Sequence, residues 1–122
     1  MAGLAITFGS GAMTNNIQDI GNAACILSIG SNTTASHPII GLEVKQAVKR
    51  GTKLIVVNPR EINLVSHADL WLRIHPGTDV ALIMGMARII LEEGLQDKTF
   101  IEERCRDFET FKKSLQEFPI DK

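Results

Sequence analysis

Three short polar stretches in this 122-residue sequence combine residue types able to hold an anion or a nucleotide: "GSNTT" at 30–34, "NPR" at 58–60 and "HPGTD" at 75–79. In the first, Gly30, Ser31 and Asn32, with Ser36 shortly after, offer backbone N–H groups, hydroxyls and an amide ahead of a helix start. That donor set suits a phosphate or pyrophosphate. It is not the G-x-G-x-x-G spacing of a standard nicotinamide dinucleotide site. An ordinary loop in which Ser36 or His37 caps the next helix has the same composition. In the second stretch, Asn58 can bond a ribose hydroxyl, and Arg60 carries a planar fork of donors that reaches a phosphate. Alternatively, Pro59 only ends a strand and Arg60 is solvated. In the third, Gly77 and Thr78 lead into Asp79, whose carboxylate accepts two hydrogen bonds at once. Guanine presents two adjacent donors, N1–H and the 2-amino group, and adenine does not. Asp79 also suits a helix start with no ligand at all.

Other chemistry-bearing residues are scattered. His37 precedes Pro38, which holds it in extended geometry and favours a structural role. His67 and His75 have no evident partners, so the three histidines make no metal site, and no catalytic residue is assigned. Cys25 and Cys105 have no metal-ligand spacing. Cys25 reads as a small apolar residue packed in a strand, and Cys105 as a surface or half-buried thiol.

The elements that must position the three stretches follow from periodicity. "FGSGAMTNN" opens with a glycine-rich loop, Gly9-Ser10-Gly11, and leads into a short helix with Thr14 as N-cap. "CILSI" reads as a strand buried on both faces. Residues 38–50 form an amphipathic helix with Ile40, Val44, Ala47 and Val48 on one face, closed by Gly51. Residues 54–57 are a second strand cut off by Asn58-Pro59, and "INLVSHA" is a helical turn or two. Residues 70–74 are a third strand, followed by a long helix, apolar nearly all round, from Thr78-Asp79 to Gly94. "QDKTFIEERCRDFETFKKSLQEF" is helical, charged and aromatic.

Strand alternating with helix predicts an α/β fold, a Rossmann-like parallel sheet sandwiched by helices in three αβα layers, in a single domain spanning 1–122. Right-handed crossovers point all three strand ends the same way, so the polar stretches are expected at one sheet edge, where α/β proteins bind ligands. Hydrophobic content of 44% and charged content of 22% are ordinary for a globular chain. A net charge of −1 without a Lys/Arg cluster argues against nucleic-acid binding. No apolar run reaches the length of a membrane span, and the N-terminus lacks signal-peptide character, so a cytoplasmic location is expected.

Taken together, "GLAITFGSGAMTNNIQDI", "ILSIGSNTTASHPIIG", "GTKLIVVNPRE" and "ADLWLRIHPGTDVALIMGMARIILEEGLQDKTFIEER" resemble the catalytic subunit of molybdopterin-dependent formate dehydrogenases, within the molybdopterin oxidoreductase superfamily. The resemblance runs in order over nearly the whole chain. It implies a molybdenum or tungsten ion held by two molybdopterin guanine dinucleotides. Gly30, Ser31, Asn32 and Ser36 would lie along the phosphates and ribose of one of them. Val57, Asn58, Pro59 and Arg60 would line the nucleotide, and Gly77, Thr78 and Asp79 would reach the guanine. The family often has Asp where this chain has Asn58, which keeps hydrogen bonding but changes the grip on the ribose.

The resemblance also implies a fragment. The metal-ligating cysteine or selenocysteine, followed by histidine, precedes "AGLA" in the family, and a four-cysteine iron–sulfur motif lies earlier still. The expected partners are the remaining domains of the subunit and electron-transfer subunits, with formate as the intact enzyme's substrate. The segment alone is expected to be inactive and, because of its apolar helix, to self-associate or to be marginally stable. Two alternatives stay open: another molybdopterin oxidoreductase such as a nitrate reductase, or a free-standing nucleotide-binding module.

Overall fold

The computed structural model describes residues 2–9 and 15–117, which divide into two compact units, Met1–Arg73 and Ile74–Lys122. The first unit is built on a parallel three-stranded sheet in the order β1 (Cys25–Ile29), β2 (Lys53–Val57), β3 (Leu70–Leu72). Helix α1 (Ala2–Phe8) opens the chain and ends at Gly9. Ser10, Gly11 and Thr14 lie outside the described residues. The following short helix is 3-10 (Ile17–Asn22), with Asn16 as N-cap, and the Asp19 carboxylate accepts the Asn16 amide at 2.9 Å.

Between β1 and β2 run a one-turn helix α2 (Thr33–Ser36) and helix α3 (Pro38–Lys49). Pro38 stands at the first position of α3, where its missing N–H is not needed. Gly41 is required by packing: a Cβ there would sit 3.0 Å from the Thr34 Cα, so any side chain would push α2 away from α3. The face predicted for α3 is the one buried. Val44 and Ala47 are in the core, with Ile40 and Val48 packed at its edge.

The core cluster is Val44 of α3, Leu54 and Val56 of β2, and Leu64 from the 3-10 helix Asn63–His67 that links β2 to β3. Both crossovers therefore lie on one face, as two successive right-handed connections in one direction require. Register places Ile26 beside Leu54 and Val56 beside Trp71 on that face. At the N-terminal end of the sheet, Lys53 Nζ donates to Asp69 Oδ1 at 2.8 Å, and the Leu54 amide donates to Asp69 Oδ2 at 2.9 Å. The Lys53 hydrogen bond, with help from the Leu54 amide, holds the Asp69 carboxyl below its ordinary range and raises Lys53.

Three readings from sequence need correction. β1 is not buried on both faces: Leu27 is 42% exposed and Cys25 is exposed rather than packed. The reason is topological, since β1 is an edge strand and residues 25 and 27 point away from the face that α3 covers. β3 ends at Leu72 instead of 74. The connection at 30–37 is partly helical, because α2 fills its second half.

The second unit begins with helix α4 (Asp79–Glu92), bounded by Thr78 and Gly94 as the sequence predicts. None of its residues is buried, and Val80, Ile83, Ile89 and Ile90 are exposed. The charged aromatic segment beyond is helical, as read, and folds as α5 (Lys98–Arg104) and α6 (Phe108–Ser114). Asp107, in the left-handed region at φ 54°, breaks the chain between them. Leu115, buried in the closing 3-10 turn, anchors this unit.

Candidate functional site

The site is built at the C-terminal ends of β1 and β2. Gly30 leaves β1 at φ 61°, a conformation in which a Cβ would crowd the backbone. Its amide donates to the Val57 carbonyl at 2.9 Å, which joins the turn after β1 to the turn after β2. Val57 itself is fully buried, so it acts as this tie and not as a lining side chain.

In the first turn most polar groups are already occupied. The Asn32 carbonyl accepts the Ala35 and Ser36 amides and the Ser36 hydroxyl, each at 3.0 Å. Asn32 Oδ1 accepts the Thr34 hydroxyl at 2.9 Å. Neither Ser36 nor His37 caps α3 through its side chain. Ser31 is half-buried. Thr33, absent from the sequence-based set, has a buried hydroxyl with no partner among the described residues. It lies, with Ser28 and Ser31, on a groove of about 630 Å³ that runs along β1 and is floored by Ile26, Ile40 and Leu64.

The second turn is held from several directions. Asn58 is 7% exposed, and its amide donates to the Leu72 carbonyl at 3.2 Å. Its Oδ1 accepts the Arg60 amide at 3.0 Å, a side-chain turn that leaves Nδ2 as the group able to meet a ligand. Asn58 is thus a donor here, where the sequence left donor and acceptor roles open. Trp71 Nε1 donates to the Asn58 carbonyl at 2.9 Å, and Arg73 Nε to the Pro59 carbonyl at 3.3 Å. The Arg73 guanidinium also lies over the Trp71 ring, 5.7 Å from its centroid. The Arg60 side chain is exposed and forms no ion pair among the described residues. Trp71 and Arg73 were missed because both sit in an apolar strand pattern. A partly buried indole N–H needs an acceptor, and that need was the available signal.

The third stretch belongs to the second unit. Gly77 turns the chain at φ 86°, and the Thr78 hydroxyl donates to the His75 carbonyl at 2.8 Å. Asp79 opens α4 with an exposed carboxylate that forms no side-chain hydrogen bond or ion pair among the described residues. The structure therefore brings together Gly30, Ser31, Asn32, Val57, Asn58, Pro59 and Arg60 in the first unit, and keeps Gly77, Thr78 and Asp79 contiguous in the second.

The molybdopterin oxidoreductase family model matches residues 3–113. The chain belongs to the molybdopterin oxidoreductase family. It is 45% identical, over 97% of its length, to the alpha subunit of an F420-dependent formate dehydrogenase from Methanocaldococcus jannaschii, and covers 18% of that protein. Formate dehydrogenase H of Escherichia coli is 37% identical over 95% of this chain, which covers 16% of it. An acetylene hydratase from Syntrophotalea acetylenica is 43% identical over 80% of the chain, covering 14% of that protein. Among solved structures, acetylene hydratase from Pelobacter acetylenicus superposes with a TM-score of 0.72 and 36% identity, over 86% of this chain and 17% of that one. This molybdopterin oxidoreductase chain thus spans less than a fifth of these relatives.

The residues present fit a molybdopterin group bearing a polar tail. The orphaned Thr33 hydroxyl, and Asn58 Nδ2 beside an Oδ1 that is already taken, are side-chain donors at the joined strand ends. A buried hydroxyl without a partner costs stability unless something fills the role. Among the described residues no cluster of three His, Cys, Asp or Glu could hold a metal ion, and no helix is long and apolar enough to cross a membrane.

Proposed function

We propose that this segment holds one guanine dinucleotide of a bis-molybdopterin cofactor in the catalytic subunit of a formate dehydrogenase. The observation that carries the reading is the 2.9 Å bond from Gly30 to Val57, which fuses two donor-bearing turns beside an unpartnered Thr33 hydroxyl. Gly30 shapes the turn, Ser31 and Asn32 offer their backbone N–H groups and the Ser31 hydroxyl to phosphate oxygens, and Thr33 adds its hydroxyl. Asn58 Nδ2 donates to a ribose oxygen, and Arg60 neutralises phosphate charge. Asp79 accepts the guanine N1–H and 2-amino group. When bound, the cofactor supplies the molybdenum or tungsten redox centre for two-electron oxidation of formate to carbon dioxide. This chain's residues bind and orient it.

Formate dehydrogenases at 37–45% identity and an acetylene hydratase at 43% each match 80% or more of this chain. Proteins named for different reactions are similar to most of this chain, which supports a role in holding the cofactor rather than in reading the substrate. The recurrence of formate dehydrogenase alpha subunits among the relatives favours that reaction for the whole protein. The exposed apolar residues of α4 are then covered by the rest of the subunit. The test is calorimetric titration of the chain with GDP and with ADP. GDP binding at least about tenfold tighter than ADP is expected, a difference of one bidentate pair. Equal affinity, or a preference for ADP, overturns the reading in favour of a general nucleotide module.

A further inference from the structure

We infer that Trp71 is a positioning residue for the nucleotide-binding turn, working with Arg73 to fix the peptide planes of Asn58 and Pro59 so that Asn58 presents Nδ2 outward. The inference rests on the nucleotide reading above for its ligand, and on geometry alone for the clamp.

Two consecutive carbonyls of the turn, Asn58 and Pro59, are each taken by a side-chain donor, Trp71 Nε1 of β3 at 2.9 Å and Arg73 Nε, just past the end of β3, at 3.3 Å. Trp71 and Arg73 lie on the same side of the chain, as the guanidinium over the indole ring shows. One ring and one guanidinium, stacked at 5.7 Å, therefore meet the turn together. With both carbonyls pulled toward β3, the Arg60 amide is aimed at Asn58 Oδ1, the 3.0 Å bond that settles which end of the amide is free. The core cluster of Val44, Leu54, Val56 and Leu64 does not need the indole N–H, because Trp71 touches it through the ring. The polar end of Trp71 serves the turn.

Trp71→Phe keeps most of the ring and removes the donor, and Arg73→Met keeps the stem of an exposed side chain that the core does not require. Two measurements on the 122-residue chain test the clamp. Amide exchange by NMR reads the Arg60 N–H without any ligand, and calorimetry reads GDP affinity. In Trp71→Phe, Arg60 protection and GDP affinity are both expected to fall about tenfold, while Leu54 and Val56 amides keep theirs, as loss of one restraining hydrogen bond implies. Arg73→Met is expected to show the same pattern more weakly, and it remains informative if Trp71→Phe fails to fold. Loss of Arg60 protection in a chain that binds no GDP even as wild type supports the clamp and overturns the nucleotide reading. Unchanged Arg60 protection in both variants, or lost protection with unchanged GDP affinity, overturns the positioning role.

Discussion

The amide of Gly30 donates to the carbonyl of Val57 across 2.9 Å, so the turn leaving β1 and the turn leaving β2 behave as a single surface. Each turn alone is a common strand end. Joined, they set donors from residues distant in sequence around one place.

Gly30 holds φ 61°, and a Cβ there would meet nothing within 4 Å. The cost of Gly30→Ala is therefore backbone strain alone, about 1–2 kcal/mol. Chemical denaturation should show that loss with an unchanged m-value. GDP affinity should fall as well, because the amide that ties the turns shifts.

Asp79 at the start of α4 is exposed, so its removal costs little stability, at most about 1 kcal/mol from the helix dipole. Its proposed guanine contact is tested with inosine diphosphate, which lacks the 2-amino group. The wild-type chain should prefer GDP over IDP by about tenfold, and Asp79→Asn should erase the preference. A preference that survives the substitution assigns Asp79 to the helix alone.

Leu54 is fully buried at the centre of the core cluster. Leu54→Ala should destabilise the chain by about 2–5 kcal/mol, the range for a large-to-small change that leaves a cavity. Urea midpoints for this variant and for an exposed control such as Leu95→Ala should separate clearly, since Leu95 is 67% exposed.

The Lys53–Asp69 pair gives stability a defined dependence on pH. The Asp69 carboxyl sits below its ordinary value of 3.8, first through the Lys53 hydrogen bond and then through the Leu54 amide. Its contribution is present above that value and is lost as pH falls through the lowered one. Lys53, raised above 10.5 by the same partner, contributes below 10.5 and loses its part as pH rises beyond. Both groups face water, so the effect is small and shrinks with salt. Thermal melts from pH 2 to 7 should show the acid-side loss in the wild type and less of it in Asp69→Asn.

Much of this was legible from residue order. Short apolar runs closed by Gly30 and Asn58-Pro59 mark where β1 and β2 end, and the 3.6 period of Ile40, Val44, Ala47 and Val48 marks the face of α3, whereas Pro76-Gly77 overstated the length of β3. The three polar stretches declare themselves by composition, because turn residues and hydrogen-bonding side chains are recognisable locally. What sequence alone could not determine is which polar atoms remain free. The Asn58 side chain can donate or accept until the Arg60 amide takes its oxygen, and the Ser36 hydroxyl is a candidate ligand until the Asn32 carbonyl claims it. Trp71 reads only as part of the third strand until its indole N–H is found on the Asn58 carbonyl, 13 residues away. β1 reads as doubly buried until the sheet order makes it an edge. Local patterns set the elements because backbone geometry and hydrophobic periodicity act over a few residues. Donor and acceptor pairing across strands is decided only when the sheet assembles and each buried polar group must find the partner that tertiary structure puts within reach.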